Sequence, residues 1–390
     1  GLHFGLAGTI AFPGVVFGNS SSAIVGKKGR SLSRLAMTTG GLAQSSAWLY
    51  RHNHLYVYPE HRDYDAADRY PAYWPYHVIS QGSSGSDRPF LDAIALTLGA
   101  FHPKTLHALE QRGLVAASVQ LIMRRNLKGV GGAKDFLTPV AHRPVLKKQD
   151  LQPERMVRDA AALKPEHVAP LVSLTVEKED FKRRAGLAQR DEILFDTPQA
   201  VARLWRGFEF TKNLTVSAKT QENPRGAPLD FYWRVLRGDQ SKIRIEPMDK
   251  RGSRVRLSVD WHDPFGSPVS SRIDIGVFAS DGASQGFPSI LSISFPSHQL
   301  RNYASAENGQ KRLMSINYDA ISRAQYYDQK LYWTAPWSDA AVYDAAGHRV
   351  SWRRTVLGDT RTEKIVPVST QRATYRIISL SSGPTLHYQP

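Results

Sequence analysis

The sequence predicts an α+β multidomain protein: a mixed α/β N-terminal domain, an antiparallel β-sandwich after it, and a short β-rich tail. Three observations carry that expectation. At 390 residues the chain is long enough for two or three domains of ordinary size. Capped helical segments mixed with short apolar strands fill the first half. After Phe208 the pattern turns to short alternating or β-branched stretches with turns roughly every ten residues, the rhythm of a β-sandwich. The expected domains are residues 1–208, 209–300 and 301–390.

Composition sets limits on function. Hydrophobic residues make up 41% and charged residues 22%, so the chain can build apolar cores. It has no cysteine, which excludes disulfides, thiolate metal sites and a cysteine nucleophile. Lys and Arg number 51 against 35 Asp and Glu, a net charge of +16. A field of that sign favours polyanions such as acidic glycans, an anionic envelope or nucleic acid. The stretch from Gly1 to Pro59 carries Lys27, Lys28, Arg30, Arg34 and Arg51 but no acidic residue. Residues 1–25 are uncharged, yet Gly5, Gly8, Pro13, Gly14 and Gly18 interrupt them. No membrane-spanning segment of about 20 apolar residues is therefore expected. The chain opens on Gly1 rather than Met, which fits a removed leader or a fragment.

Taken in order, a helix is expected near Ser31–Leu42 and a strand within residues 48–58. Pro59, Pro71 and Pro75 punctuate a long loop, and Tyr76–Ser80 reads as a strand. Asp87 as cap and Pro89 in the first turn start a helix whose face is Phe90, Ile94, Leu98 and Phe101. Further helices are expected at 103–112, stopped by Gly113, at 115–126 and at 153–163. Residues 168–176 read as a buried strand, and residues 197–205 as a helix capped by Thr197 with Pro198 in first position. Six strands follow, at 212–220, 229–236, 242–247, 253–260, 272–279 and 289–295. Residues 342–354 read as a hairpin turning at Ala345–Gly347.

The segment VSAKTQENPRGAPLDFYWRVLRGD resembles the start of a PKD or cadherin-like immunoglobulin module. In such modules a strand leads into an Asp-Pro-x-Gly turn and then a strand with an inward Trp. Here the turn is Glu222-Asn223-Pro224-Arg225-Gly226 and the Trp is Trp233; Asn223 stands where the family has Asp. The late strand ending in an Asp-Gly turn would be IDIGVFASDG, with Asp281 and Gly282. The resemblance covers roughly residues 210–296. It implies an immunoglobulin-like sandwich in a secreted, periplasmic or surface-attached bacterial protein, often one that handles polysaccharide. It implies no catalytic residue.

Two constellations carry candidate chemistry. In YRHNHLYVYPEHRDYD, residues 50–65, the i and i+2 spacing puts His52 and His54 on one face of a strand, followed by Glu60 and His61. Imidazoles with a carboxylate suit a divalent metal, so His52, His54 and His61 are candidate ligands. The same residues allow metal-free chemistry. Histidine would act as base, Tyr56 or Tyr58 as acid, and Arg51 or Arg62 would neutralise a substrate carboxylate, with Glu60 acting on the substrate beside the histidines. The second constellation is QGSSGSDRP, residues 81–89, a small-residue loop between a strand and a helix start. Amides after Gly82, with Ser83, Ser86 and Asp87, could hold an anionic group there. A packed polar interface and a capped helix are the structural alternatives. The basic loop Gly26–Ser31 reads as solvated, and Trp261-His262-Asp263 as loop structure.

These features predict a secreted, periplasmic or cell-surface protein acting on an acidic polysaccharide or envelope polymer, as a hydrolase or lyase. The rival expectation is a non-catalytic matrix or filament protein that self-associates. Nucleic-acid binding is third, since the charge permits it but no recognition motif is present.

Overall fold

The computed structural model describes residues 88–143, 145–186, 189–220, 226–263, 272–282, 285–296, 299–306, 309–318 and 337–356, with seven short strands outside them. Strands β1 (Val15–Gly18), β2 (Leu35–Thr39), β3 (Tyr56–Pro59), β4 (Val78–Ser80) and β5 (Val145–Leu146) form one sheet in chain order. The first two joints are antiparallel; β3–β4 and β4–β5 are parallel. Strand β2 corrects the helix expected near Ser31–Leu42. Thr38 and Thr39 are β-branched, and Gly40-Gly41 follows at once, so the stretch gains more by pairing with β1 than by coiling.

The crossover from β4 to β5 holds four helices: α1 (Arg88–Ala100), α2 (Pro103–Gln111), α3 (Val115–Arg125) and the short α4 (Ala133–Phe136). Helix α5 (Pro153–Ala162) follows. The four long helices fall where caps and periodicity place them. Pro103 opens α2, and the His102 ring nitrogen accepts from the Lys104 amide at 3.3 Å. Gly113, at φ 65°, turns the chain out of α2. Phe90, Ile94, Leu109, Val119, Met123 and Met156 are fully buried in a core shared by these helices.

Two larger sheets follow. Their strands are β6 (Val172–Glu179), β7 (Ile193–Thr197), β8 (Ala200–Leu204), β9 (Thr211–Thr220), β10 (Asp230–Arg237), β11 (Ile243–Pro247), β12 (Arg254–Asp260), β13 (Arg272–Ser280) and β14 (Ser289–Ser294). One sheet has the order β10-β13-β14-β8-β7 and the other β11-β12-β9-β6. All pairings are antiparallel except β8 with β14. Every strand expected from 212 to 295 is present, whereas the strand expected at 168–176 begins four residues later, at Val172.

The sequence of β13 shows how these layers stack. All nine of its residues are buried. Ile273, Ile275, Val277 and Ala279 share a core with Leu214, Val216, Val255, Leu257 and Val259 of the facing sheet. Phe278, on the other face, joins the helical core beside Phe136 and Ile290. A strand covered on both sides reads as a continuous apolar run rather than an alternation. Trp233, expected to point inward, is buried and donates its indole N–H to the Gly252 carbonyl at 2.8 Å.

The helix expected over residues 197–205 is instead a turn and a strand. The Thr197 hydroxyl donates to the Ala200 carbonyl at 2.9 Å and also accepts from the Ala200 amide, closing a tight hairpin between β7 and β8. All five residues of β8 are buried between neighbouring strands, and tertiary pairing overrides the cap signal.

A third sheet runs in chain order through β15 (Gln299–Ser305), β16 (Lys311–Tyr318), β17 (Trp337–Tyr343), β18 (Arg349–Val356) and β19 (Glu363–Pro367). Strands β20 (Thr374–Leu380) and β21 (Gly383–Gln389) make a separate hairpin. The expected hairpin at 342–354 is β17–β18, turning through Asp344–Gly347 with Gly347 at φ 82°. Arg354 clamps Asp339 across that pair through two bonds of 2.7 Å, both side chains buried. Helices and several antiparallel sheets together make a mixed α+β architecture, as predicted.

Candidate functional site

The sequence-predicted site residues Arg51, His52, His54, Glu60, His61, Arg62, Gly82, Ser83, Ser86 and Asp87 lie outside the described residues. Tyr58 lies on β3, with its side chain outside the description. The strands that lead to the two constellations are described. Tyr58 pairs with Ile79 and Pro59 with Ser80, in parallel. The chain therefore leaves β3 towards Glu60 and β4 towards Gln81 from neighbouring strand ends on one sheet edge. Ligands of open α/β sheets sit beyond the carboxyl ends of parallel strands.

Among the described residues, a large cleft lies elsewhere. It has a volume of about 860 Å³ and opens between Lys182, Gly186 and Gln189, Gly207–Glu209, the facing ends of β15 and β16 at Ala306 and Gln310, and the β17–β18 turn. Its charged lining is Lys182, Arg184, Lys311, Arg312 and Arg349 against only Glu209 and Asp344. Five cations to two carboxylates make its field positive.

Buried polar groups fix its floor. Glu192 is wholly buried, and its carboxylate accepts the backbone N–H groups of Lys182 at 2.9 Å, Arg206 at 2.8 Å and Gly207 at 2.7 Å. It also pairs with the buried Lys212 ammonium at 2.9 Å. Lys212 in turn sits 4.8 Å from the centre of the Phe181 ring and 3.4 Å from Glu209. From the other side Arg301, buried and stacked 3.8 Å over Trp261, donates to the Gly207 and Arg206 carbonyls and to Gln299. The segment Arg206–Gly207 is thus gripped through both its amides and its carbonyls, which holds Phe208 and Glu209 at the cleft.

The cleft's cations are held mainly by rings. Lys311 lies 4.5 Å from the Phe210 centroid, Arg312 4.0 Å from that of Tyr343, and Arg349 4.5 Å and 4.4 Å from those of Phe208 and Trp352. Burial pushes the Glu209 carboxyl up, but Lys212, its own amide and Lys182 together hold it below the ordinary range, so it stays an anion. Burial also lowers the pKa of Arg349, against the pull of Tyr343, Tyr318 and Glu209.

Two other motifs have structural roles. His262 accepts the Asp239 amide at 3.2 Å, and its other ring nitrogen donates to the Asp260 carbonyl at 2.8 Å. In Arg237-Gly238-Asp239 the arginine pairs with Asp274 at 3.2 Å and the aspartate caps a short 3-10 turn. Among the described residues no group of His, Asp and Glu side chains is gathered to hold a metal ion, and no helix is long and apolar enough to cross a membrane. The residues expected to bind a divalent ion lie outside the described ones. Sequence reasoning did not find the basic cleft. Its one sequence signal is basic residues set beside Phe208, Phe210, Tyr343 and Trp352, spread over segments far apart in the chain.

Comparison with models of known protein families finds none that matches this chain, and comparison with curated proteins finds no match either.

Proposed function

We propose that this chain works outside the cytoplasm and engages an acidic polysaccharide or related anionic envelope polymer along the basic cleft. The observation that carries this reading is the five-to-two excess of cations in the lining, with ring-stacked side chains at the rim. A polymer with a charge on each sugar meets several such cations at once, and multiple weak contacts add. The strands between Thr211 and Ser294 serve in this reading as a PKD/immunoglobulin-like module beside the cleft, whose Lys212 pairs with Glu209 of the lining at 3.4 Å.

A second reading adds chemistry. Strands β3 and β4 end side by side, which favours joint action of His52, His54, Glu60 and His61 with the loop from Gly82 to Asp87, in hydrolysis or β-elimination. A product assay with His54→Ala tests that step separately.

The binding reading is tested by affinity electrophoresis through gels containing polygalacturonate, dextran or duplex DNA. Wild type should be retarded by polygalacturonate, less by DNA and not by dextran. The double variant Lys182→Glu/Lys311→Glu should migrate freely, and added salt should weaken retardation. Equal retardation by dextran, stronger retardation by DNA, or an unaffected double variant would overturn the proposal.

A further inference from the structure

We propose that Arg312 and Arg349 form a carboxylate subsite within this cleft, reading the uronate groups of the bound polymer. The inference rests on the cleft reading above and adds a chemical class to it. Both side chains line the cleft. Both have a guanidinium stacked on aromatic rings, Arg312 on Tyr343 and Arg349 between Phe208 and Trp352. Neither forms an ion pair among the described residues, and the Nε of each is buried with no hydrogen-bond partner there. That distinguishes them from the other buried arginines nearby. Arg301 is committed to Gln299 and to the Arg206 and Gly207 carbonyls, and Arg354 to Asp339.

Ring stacking fixes a guanidinium in place without consuming its N–H donors. A carboxylate partner would fix it equally well but would occupy those donors. Arg312 and Arg349 are therefore two positioned cations whose terminal Nη groups are not committed to an ion pair among the described residues. Topology brings them to one rim. Strand β16 carries Arg312, β18 carries Arg349, and β17 pairs with both. A Cβ placed on Gly347 would lie 3.5 Å from Arg312 Nη1, so the Arg312 fork reaches the β17–β18 turn, two residues before Arg349. Partly withdrawn from water, each guanidinium gains from an incoming anion.

The planar fork also selects the anion. Two parallel N–H groups match the two oxygens of a planar carboxylate, whereas an ammonium acts as a point charge. A lysine at either position would keep the charge and much of the stacking but lose the match. Recognition of a carboxylate should therefore be sensitive to Arg→Lys, and general polyanion attraction should not.

The test is calorimetric titration with polygalacturonate, dextran sulfate (a polyanion without carboxylates) and dextran, using wild type, Arg312→Lys, Arg349→Lys and Lys182→Gln. Circular dichroism melts confirm that each variant folds, and the two arginine variants are independent of one another. Each Arg→Lys change should weaken polygalacturonate binding by about tenfold or more and leave dextran sulfate binding within about threefold. Lys182→Gln should weaken both polyanions alike. Failure of wild type to bind either polyanion would overturn the cleft reading and this inference together. Binding of both polyanions with no difference between Arg→Lys and Lys182→Gln would leave the cleft reading standing and overturn the subsite. A wild-type preference for dextran sulfate that survives Arg→Lys would overturn the carboxylate assignment.

Discussion

Arg203, Lys212, Arg272 and Arg301 are nearly inaccessible to solvent, yet each sits among partners that restore what burial removes. Arg203 has Glu179 at 2.6 Å and Asp196 at 2.8 Å; Lys212 has Glu192 and the Phe181 ring. His142 solves the same problem by giving up its charge. It is enclosed by Phe136, Phe278 and Phe287, and its ring N–H donates to the Phe136 carbonyl at 2.8 Å. Burial, then the neighbouring Arg124, lower its pKa from 6.5 to about 3. Once unfolded it takes a proton as pH falls through 6.5, but folded it does so only near 3. Its contribution to stability is thus complete above the ordinary histidine range and is lost on acidification, at about 1.4 kcal/mol per pH unit across that window. Urea unfolding of His142→Gln, which keeps an N–H donor, should show a flatter decline in midpoint on acidification than wild type. An identical slope in the two proteins would contradict this account.

At the scale of elements, the strands from 212 to 295 and the helices from 88 to 162 were legible because each carries its own period and its own punctuation. Residues 197–205 were not. Thr197-Pro198 is a good helix start in isolation, but Val201 and Leu204 belong to a strand whose partners, β7 and β14, lie on either side of it in the fold. Local propensity cannot register that pairing. The basic cleft was illegible for the same reason: Lys182, Phe208, Arg312 and Arg349 meet only through sheet topology. Of the catalytic residues proposed from sequence, Tyr56 and Tyr58 fall on a described strand. One turn does bear a local signature. Gly252 sits at φ 68°, a Cβ there would approach the Phe231 carbonyl oxygen to 2.6 Å, and its own carbonyl accepts from Trp233. Gly252→Ala should cost about 1–3 kcal/mol from backbone strain, read as a lowered denaturation midpoint with altered tryptophan fluorescence. An unchanged midpoint would show that the turn relaxes freely.

For the molecule as a whole, the sheet containing β13 is the shared wall of two cores. Helices cover one of its faces through Phe278 and Ile290, and the sheet of β9 and β12 covers the other through Ile273 and Val277. Residues 210–296 alone would lack β6, β7 and β8 as well as the helices, exposing two strand edges and an apolar face. That fragment should aggregate or stay unfolded by circular dichroism, whereas residues 88–356 should give a cooperative melt. A well-folded 210–296 fragment would show that the module is self-sufficient.

The single parallel joint in that sheet also constrains when it can form. Ala200 pairs with Ile290, and the chain between them must complete β9 to β13 before β14 reaches its place. During synthesis the β7–β8 hairpin therefore waits with one edge open while five further strands emerge. Closing so long a loop is slow, and an open apolar edge invites other chains. Substitutions that weaken β14 should lower the yield of soluble protein more than their effect on the finished fold would suggest, because they prolong that interval.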